Sequence, residues 1–147
     1  MKKEDTFFGD KPGSKYFWGD SCEQHIRYMR NRVFLGLNTL GYDPYMPYRE
    51  KNKPYSNYWF SSSDACNKDA FVKLLSKKHI SRLAKQHGCA IVYTHFAFGF
   101  VNKNGELNEE FKQAVDDLAV QNGWYAPASE ILDYINAQRG DDKYLSF

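Results

Sequence analysis

The histidine with the strongest case for chemistry is His95, because it follows an apolar run of the kind that forms a buried strand. That run, Cys89 to Tyr93, is rich in β-branched side chains and too short for a helix. In parallel α/β folds ligands bind where strands end, so a histidine there can exchange a proton near neutral pH or offer a nitrogen to a metal. The alternative is a histidine whose ring only satisfies a backbone carbonyl.

Two further candidates, Trp59 and Asp64, flank a second short predicted strand, Tyr58 to Ser62. The Trp59 indole can stack on a sugar-like face, and the Asp64 carboxylate can orient His95 through a hydrogen bond. The structural alternatives are core packing for the tryptophan and a helix cap for the aspartate. Together with His95 these residues predict a cleft that binds a sugar-like ligand.

The remaining histidines and cysteines make weaker cases. Cys22 and His25 lie one helical turn apart, but no second pair stands at the spacing of a zinc finger. His79 and His87 fall among lysines and arginines, which is typical of a solvated helix face. We therefore expect no metal site within this chain. Phosphate-binding glycine loops, dinucleotide fingerprints and serine elbows are also missing from the sequence.

Composition limits the class of protein. The 147 residues fit one domain, and 42% hydrophobic with 26% charged residues is ordinary globular usage. A net charge of +2 with interspersed acids excludes a dedicated nucleic-acid binder. Met1 to Asp10 has no signal-peptide core, no later segment is long enough to span a membrane, and three scattered cysteines suit a reducing compartment. We expect a cytoplasmic protein without a membrane partner.

The candidate residues must be positioned by alternating strands and helices. The patterns predict a strand at Lys15 to Trp18, a helix at Ser21 to Leu40, an aromatic loop at 42–60, the strand at Tyr58 to Ser62, helices from Ser63 or Asp64 to His87 with a new start at Ser76, the strand ending at Tyr93, a helix capped by Asn108, a strand at Trp124 to Ala126, and a last helix after Pro127. This alternation predicts an α/β fold around a mainly parallel sheet of four strands at most.

A family resemblance covers about residues 89–138. The run Cys-Ala-Ile-Val-Tyr-Thr-His-Phe from Cys89, a helix, and Trp-Tyr-Ala-Pro-Ala-Ser-Glu-Ile-Leu-Asp-Tyr ending at Tyr134 resemble the C-terminal end of polysaccharide deacetylases of the NodB-homology type. The resemblance implies a distorted (β/α) barrel that removes acetyl groups from N-acetylated sugars. It also implies a divalent metal such as zinc, which polarises the amide and activates water in a complete family member.

The resemblance also assigns roles to residues. His95 matches the histidine that protonates the departing amine, and Tyr93 and Thr94 border the acetyl pocket, where the family often has leucine in place of Thr94. Trp18 lies on the strand where the family has an arginine and prolines, and we count it with Trp59 among the candidate substrate-binding residues. Residues 139–147 form a tail that we expect to be loose.

The family's early motifs, a paired aspartate and a His-x-x-x-His metal pair, have no counterpart before Tyr16. We therefore expect residues 1–147 to form one partial domain, the C-terminal half of a deacetylase-like barrel, which is inactive alone and carries no cofactor. Its expected partners are a glycan and either the missing N-terminal half or a second copy of itself, because an open sheet has unpaired edges.

Two other interpretations compete with this one. In the first, the chain is a non-catalytic carbohydrate- or protein-binding domain that uses the aromatic loop 42–60, and His95 is structural. In the second, it is a metal hydrolase of another barrel family, with Cys22, His25 and His95 among its ligands. Metal analysis and binding measurements separate these alternatives from the deacetylase-like half-barrel.

Overall fold

The chain has a mixed α/β fold in a computed structural model that describes residue 9 and residues 11–139. Its elements are α1 (Gly19–His25), β1 (Tyr28–Phe34), α2 (Thr39–Tyr42), β2 (Tyr58–Asp64), α3 (Lys68–Leu74), α4 (Lys77–Lys85), β3 (Val92–Tyr93), α5 (Glu109–Ala119) and α6 (Ala128–Arg139). The three strands are parallel and lie in the order β1-β2-β3. The α/β class and the parallel sheet are thus confirmed, whereas the expectations for the remaining N-terminal residues and for residues 140–147 of the tail fall outside the described residues. The tail was expected to begin at residue 139, but Arg139 is the last residue of α6 and donates to the Pro44 and Tyr45 carbonyls.

The central strand is β2, and it confirms the strand predicted at Tyr58 to Ser62. It continues to Asp64, so the prediction that a helix starts at Ser63 or Asp64 is wrong. Two of the three buried serine hydroxyls of the strand, those of Ser61 and Ser63, find hydrogen-bond partners within the fold. Ser63 Oγ donates to the Gly36 carbonyl at 2.5 Å, and its hydroxyl also lies 3.0 Å from Thr39 Oγ1.

The largest departure from the sequence-based prediction is at residues 28–34, where β1 replaces the middle of the helix expected from Ser21 to Leu40. Only α1 and the single turn α2 are helical in this region. Apolar residues spaced by three and four favour a helix, but the aromatic and β-branched residues between Tyr28 and Phe34 also suit a strand. Pairing with β2, which aligns Tyr28 with Tyr58, decides the outcome.

Two other predicted strands are absent from the described part of the chain. Residues 15–18 form turns that lead into α1, and the Trp18 amide donates to the carbonyl of Gly9. Residues 124–126 are irregular, and the Tyr125 hydroxyl donates to the Leu118 carbonyl at 2.6 Å. Both segments are short, and local contacts take the place of strand pairing.

Several helix boundaries follow the predictions. The helical region before His87 breaks at Ser76, which precedes α4 as expected. The Asn108 side chain accepts hydrogen bonds from the first turn of α5, which confirms it as the N-cap. The Asn67 side chain caps α3 in the same way, although the sequence patterns did not single it out. Pro127 lies directly before α6, where its fixed φ suits a helix start.

The described residues pack around two clusters of buried side chains. One cluster brings α3, α4 and α5 together beside the ends of β2 and β3 and contains Leu37, Ala65, Leu74, Leu75, Ile80 and Ala114. The other joins the aromatic loop to the sheet and α6 and contains Met46, Tyr48, Trp59, Ile91 and Leu132. The aromatic loop is therefore partly core. Across the described part of the chain, every helix is too short or too polar to cross a membrane.

Candidate functional site

The C-terminal ends of β2 and β3 bring four of the candidate residues to one edge of the sheet. Asp64 and Tyr93 are register partners, so their side chains leave the same face. Thr94 and His95 follow directly after β3. β3, the strand that precedes His95, has only two residues and is shorter than the run from Cys89 suggests. It is an edge strand of the described sheet, and its two residues are half-buried rather than fully buried.

The His95 ring is held by two aromatic neighbours while its side chain stays exposed. The Tyr93 hydroxyl lies 2.7 Å from Nε2 of His95, and the two ring centroids are 4.8 Å apart at 77°. Phe98 packs edge-on against the other side of the imidazole at 5.6 Å. The turn that starts at His95 brings Phe98 back, since the Phe98 amide donates to the His95 carbonyl. The ring is thus oriented and accessible.

The hydrogen-bond partner of His95 differs from the expected one. Sequence reasoning predicts that Asp64 orients the imidazole, whereas Tyr93 does so among the described residues. A hydroxyl can donate to Nε2 or accept from it. When the Tyr93 hydroxyl donates to a neutral ring, the ring proton sits on Nδ1. In that tautomer Nδ1–H can donate a hydrogen bond to a ligand, whereas in the imidazolium form Nε2–H donates to Tyr93 and the Nδ1 proton can be transferred.

A further functional group, Arg30, was not identified from the sequence. Its guanidinium carbon lies 3.6 Å from the centre of the Tyr93 ring, which is a close cation–π contact. The prediction placed Arg30 on a helix, so nothing linked it to the end of β3. The aromatic and β-branched residues at Tyr28, Val33 and Phe34 are a signal that favours a strand, but no local pattern indicates the contact with Tyr93.

Two buried hydroxyls near the same strand ends have no hydrogen-bond partner in the described structure, Thr94 Oγ1 and Ser62 Oγ. Ser62 is 1% exposed and precedes Asp64 by two residues, which places both side chains on the same face of β2. A buried hydroxyl without a partner costs about 1–3 kcal/mol. These two oxygens are therefore polar groups that a ligand or a water molecule would satisfy.

The two predicted substrate-binding tryptophans lie apart from the hydrogen-bonded pair Tyr93 and His95. Trp59 is 9% exposed and packs in the cluster with Met46 and Leu132, while Lys53 Nζ sits 4.4 Å from its ring centre. Its indole face is therefore covered rather than open to a sugar. Trp18 is 45% exposed and precedes α1, and no described contact joins it to His95.

The described residues do not fit the divalent metal that the family resemblance implies. No group of three histidine, cysteine, aspartate or glutamate side chains among them lies close enough to hold one ion. For the alternative ligand pair Cys22 and His25, the buried Cys22 thiol lies 3.4 Å from Met29 Sδ, while His25 is exposed. Burial raises the pKa of the Cys22 thiol, which favours the protonated form and weakens it as a ligand.

Comparison with known proteins gives no relative from which the residues of this site could be assigned. No family model and no curated protein matches the sequence, and no solved structure matches the fold. The site is therefore defined by the contacts of His95, Tyr93 and Arg30.

Proposed function

We propose that this chain forms the C-terminal strands of a polysaccharide-deacetylase-like (β/α) barrel, in which His95 is the general acid that protonates the departing amine. The observation that carries this proposal is the hydrogen bond between Tyr93 and His95 at the C-terminal end of a parallel strand. Parallel α/β folds bind ligands at that edge. The sequence resemblance from Cys89 to Tyr134 supplies the reaction class.

The exposed side of β1 supports a barrel that continues beyond the described sheet. β1 is an edge strand, and Val33 near its end is 47% exposed. Leu35, just after the strand, is 87% exposed. An edge strand flanked by exposed apolar side chains favours pairing with further strands. In the proposed protein these strands come from a preceding segment or from another chain.

The chemistry assigned to this chain is the proton transfer at the leaving group. Hydrolysis of an N-acetyl group adds a water oxygen to the carbonyl carbon, breaks the C–N bond and yields acetate and an amine. The amine nitrogen takes a proton as the bond breaks. We assign this proton to Nδ1–H of the His95 imidazolium, which becomes the neutral ring, while its Nε2–H donates to the Tyr93 hydroxyl. The Tyr93 hydroxyl on Nε2 and the Phe98 ring hold the imidazole in one orientation during this transfer.

We assign the activation of the attacking water to groups that are not among the described residues. A histidine that lacks its partner groups does not perform the reaction as a unit, because catalytic groups act together. The described part of the chain lacks a triad of metal-ligating side chains, so it contributes glycan binding and proton transfer only. We therefore expect no deacetylase activity from this chain alone.

The proposal is tested by calorimetric titration of the purified chain with chitopentaose, together with assays of acetate release with and without added Zn²⁺. Binding that weakens in His95→Ala, but not in the exposed control His87→Ala, supports the proposal. No acetate release is expected in either assay. Absence of binding overturns the proposal, and release of acetate by the chain with stoichiometric Zn²⁺ overturns the division of roles.

A second candidate function, a non-catalytic carbohydrate- or protein-binding domain that uses the aromatic loop 42–60, has support from one cavity. It has a volume of about 470 Å³ and is lined by residues 49–51, 53–54 and 56–57 of that loop together with Glu23. Tyr45 on the same loop is 48% exposed, whereas Trp59 is 9% exposed. Glycan binding that survives His95→Ala and is lost in Tyr45→Ala favours this function.

A further inference from the structure

A cavity of about 700 Å³ opens beside the C-terminal end of β1, between residues 33–42 and one face of α4. It falls within the range of about 300–1,000 Å³ that is typical of small-molecule sites. Tyr93 and His95 do not line it. The proposed function therefore does not assign a ligand to this cavity, and we infer its ligand from its own lining residues.

The wall contributed by α4 carries one positive charge. His79, Arg82, Leu83 and Gln86 line the cavity, and their spacing of three and four residues places them on one helix face. In the described part of the chain, no carboxylate forms an ion pair with Arg82. Its guanidinium fork is therefore free for a bidentate contact with a ligand carboxylate.

Two amide side chains on the cavity wall are already oriented by each other. Asn38 Nδ2 donates to Gln86 Oε1 at 3.1 Å, while Asn38 Oδ1 accepts from the backbone amides of Gly41 and Cys89. These contacts fix the Asn38 side chain and engage the Gln86 carbonyl oxygen. The Gln86 Nε2 group has no partner among the described residues, so it can donate to a ligand hydroxyl.

An aromatic ring forms part of the opposite wall. Tyr42 stacks on Phe34 with ring centroids 5.2 Å apart and an angle of 17°, yet 56% of Tyr42 remains exposed. Gly36 allows this arrangement, because a Cβ atom at that position would lie 2.2 Å from the Tyr42 hydroxyl. The stack holds the Tyr42 ring in place, and a pyranose ring can pack against such a surface.

On the α4 wall of the cavity, the position of the ring proton of His79 is defined by a hydrogen bond. Nδ1 of His79 lies 3.0 Å from the Leu74 carbonyl oxygen, which can only accept, so Nδ1 carries the proton. In the neutral ring Nε2 is then an acceptor for a ligand hydroxyl. The cavity thus offers one cation, one amide donor, one imidazole acceptor and one aromatic surface.

We propose that this cavity binds a hexuronic acid unit of an acidic glycan, with its carboxylate on Arg82 and its ring beside Tyr42. A single guanidinium matches the single charge of a carboxylate, whereas a phosphate dianion favours a cluster of cations. The amide of Gln86 and Nε2 of His79 suit the ring hydroxyls. This inference goes beyond the proposed function and does not depend on His95.

The test is titration of the purified chain with trigalacturonic acid and with neutral maltotriose, with affinity measured by NMR. We expect the acidic trisaccharide to bind more tightly, and Arg82→Gln to weaken its binding by about ten- to hundredfold, because a hydrogen bond to a charged group is lost. Arg82→Lys should recover part of the loss, since it keeps the charge without the fork. Tyr42→Ala should weaken the binding of both trisaccharides.

The matched control is Lys78→Gln, which removes one positive charge from an exposed position of α4 that does not line the cavity. It should leave the affinity unchanged. An equal loss in Lys78→Gln would overturn the proposal, because binding would then follow net charge. Equal affinity for inorganic sulfate, or absence of binding to the unsubstituted chain, would also overturn it.

Discussion

The Tyr93 hydroxyl and Nε2 of His95 lie 2.7 Å apart at the point where the last strand of the sheet ends. Two residues separated by one position in the sequence thus form a single hydrogen-bonded pair. Arg30, from the other edge strand, lies above the Tyr93 ring at 3.6 Å. The Arg30–Tyr93 contact therefore joins the two edge strands of the described sheet, and the ring that orients His95 is itself held by the sheet.

Leu35→Lys is predicted to reduce self-association of the chain. Leu35 is 87% exposed beside the edge strand β1, so a charge there opposes pairing with another strand. Sedimentation velocity at several concentrations measures the effect. The control is Val120→Lys, because Val120 is 80% exposed just after α5, away from that edge. Equal behaviour of the two variants would contradict a specific role of the β1 edge.

His87→Gly is predicted to raise the free energy of unfolding by about 1 kcal/mol. A side chain in the left-handed region costs roughly 1–2 kcal/mol, and the greater freedom of glycine in the unfolded chain offsets part of this gain. His87 has φ +47° directly after α4, and the following Gly88 amide donates to the Leu83 carbonyl. This hydrogen-bond pattern usually ends with glycine at the position of His87. Urea unfolding measures the change, with His87→Ala as the control that keeps the strain. A lower stability for the glycine variant would be the contrary result.

Gly88→Ala is predicted to destabilise the chain by about 1–3 kcal/mol, the usual cost of forcing an added methyl into occupied space. A Cβ atom at Gly88 would lie 2.7 Å from Cγ of Asn38, which is fixed by its hydrogen bonds. In the Asn38→Ala background the same substitution should cost much less. Additive effects in this double-mutant cycle would show that the two residues are not in contact.

Tyr28→Phe is predicted to lower stability at neutral pH, and this deficit should shrink as the pH rises. Burial, together with the hydrogen bond that the Tyr28 hydroxyl donates to Asp133, raises the pKa of Tyr28 above its ordinary value. A raised pKa contributes stability that is fully present below about pH 10, the unfolded value, and is lost as the pH rises towards the native pKa. Urea unfolding between about pH 8 and pH 11 tests this. A constant difference across that range would contradict it.

Local signals in the sequence were sufficient for some elements. The β2 strand follows from its aromatic and polar run, and α5 follows from Asn108 and the apolar spacing after it. Both signals lie within a few residues of the structure that they specify. For the same reason, His95 was correctly placed after a strand.

The identity of β1 and the contacts of Arg30 and Trp59 depended on pairing between segments that are distant in the sequence. The spacing of apolar residues from Ile26 to Val33 favours a helix, while the residue types between Tyr28 and Phe34 suit a strand, and the alignment with β2 decides between the two. Arg30 could not be linked to Tyr93 until that alignment was established. Likewise, Trp59 was predicted to bind a sugar, but residues of the loop 42–60 cover its indole and make it part of the core.

The central claim is that the end of β3 is a glycan site in which His95 acts. Its most direct test is the NMR spectrum of the His95 ring and the Tyr93 amide during titration with chitopentaose, compared with the spectrum of His87. Saturable shifts at His95 and Tyr93, abolished by Tyr93→Phe and absent with cellopentaose, are the predicted result. Shifts confined to residues 49–57, or unchanged spectra at His95, would contradict the claim.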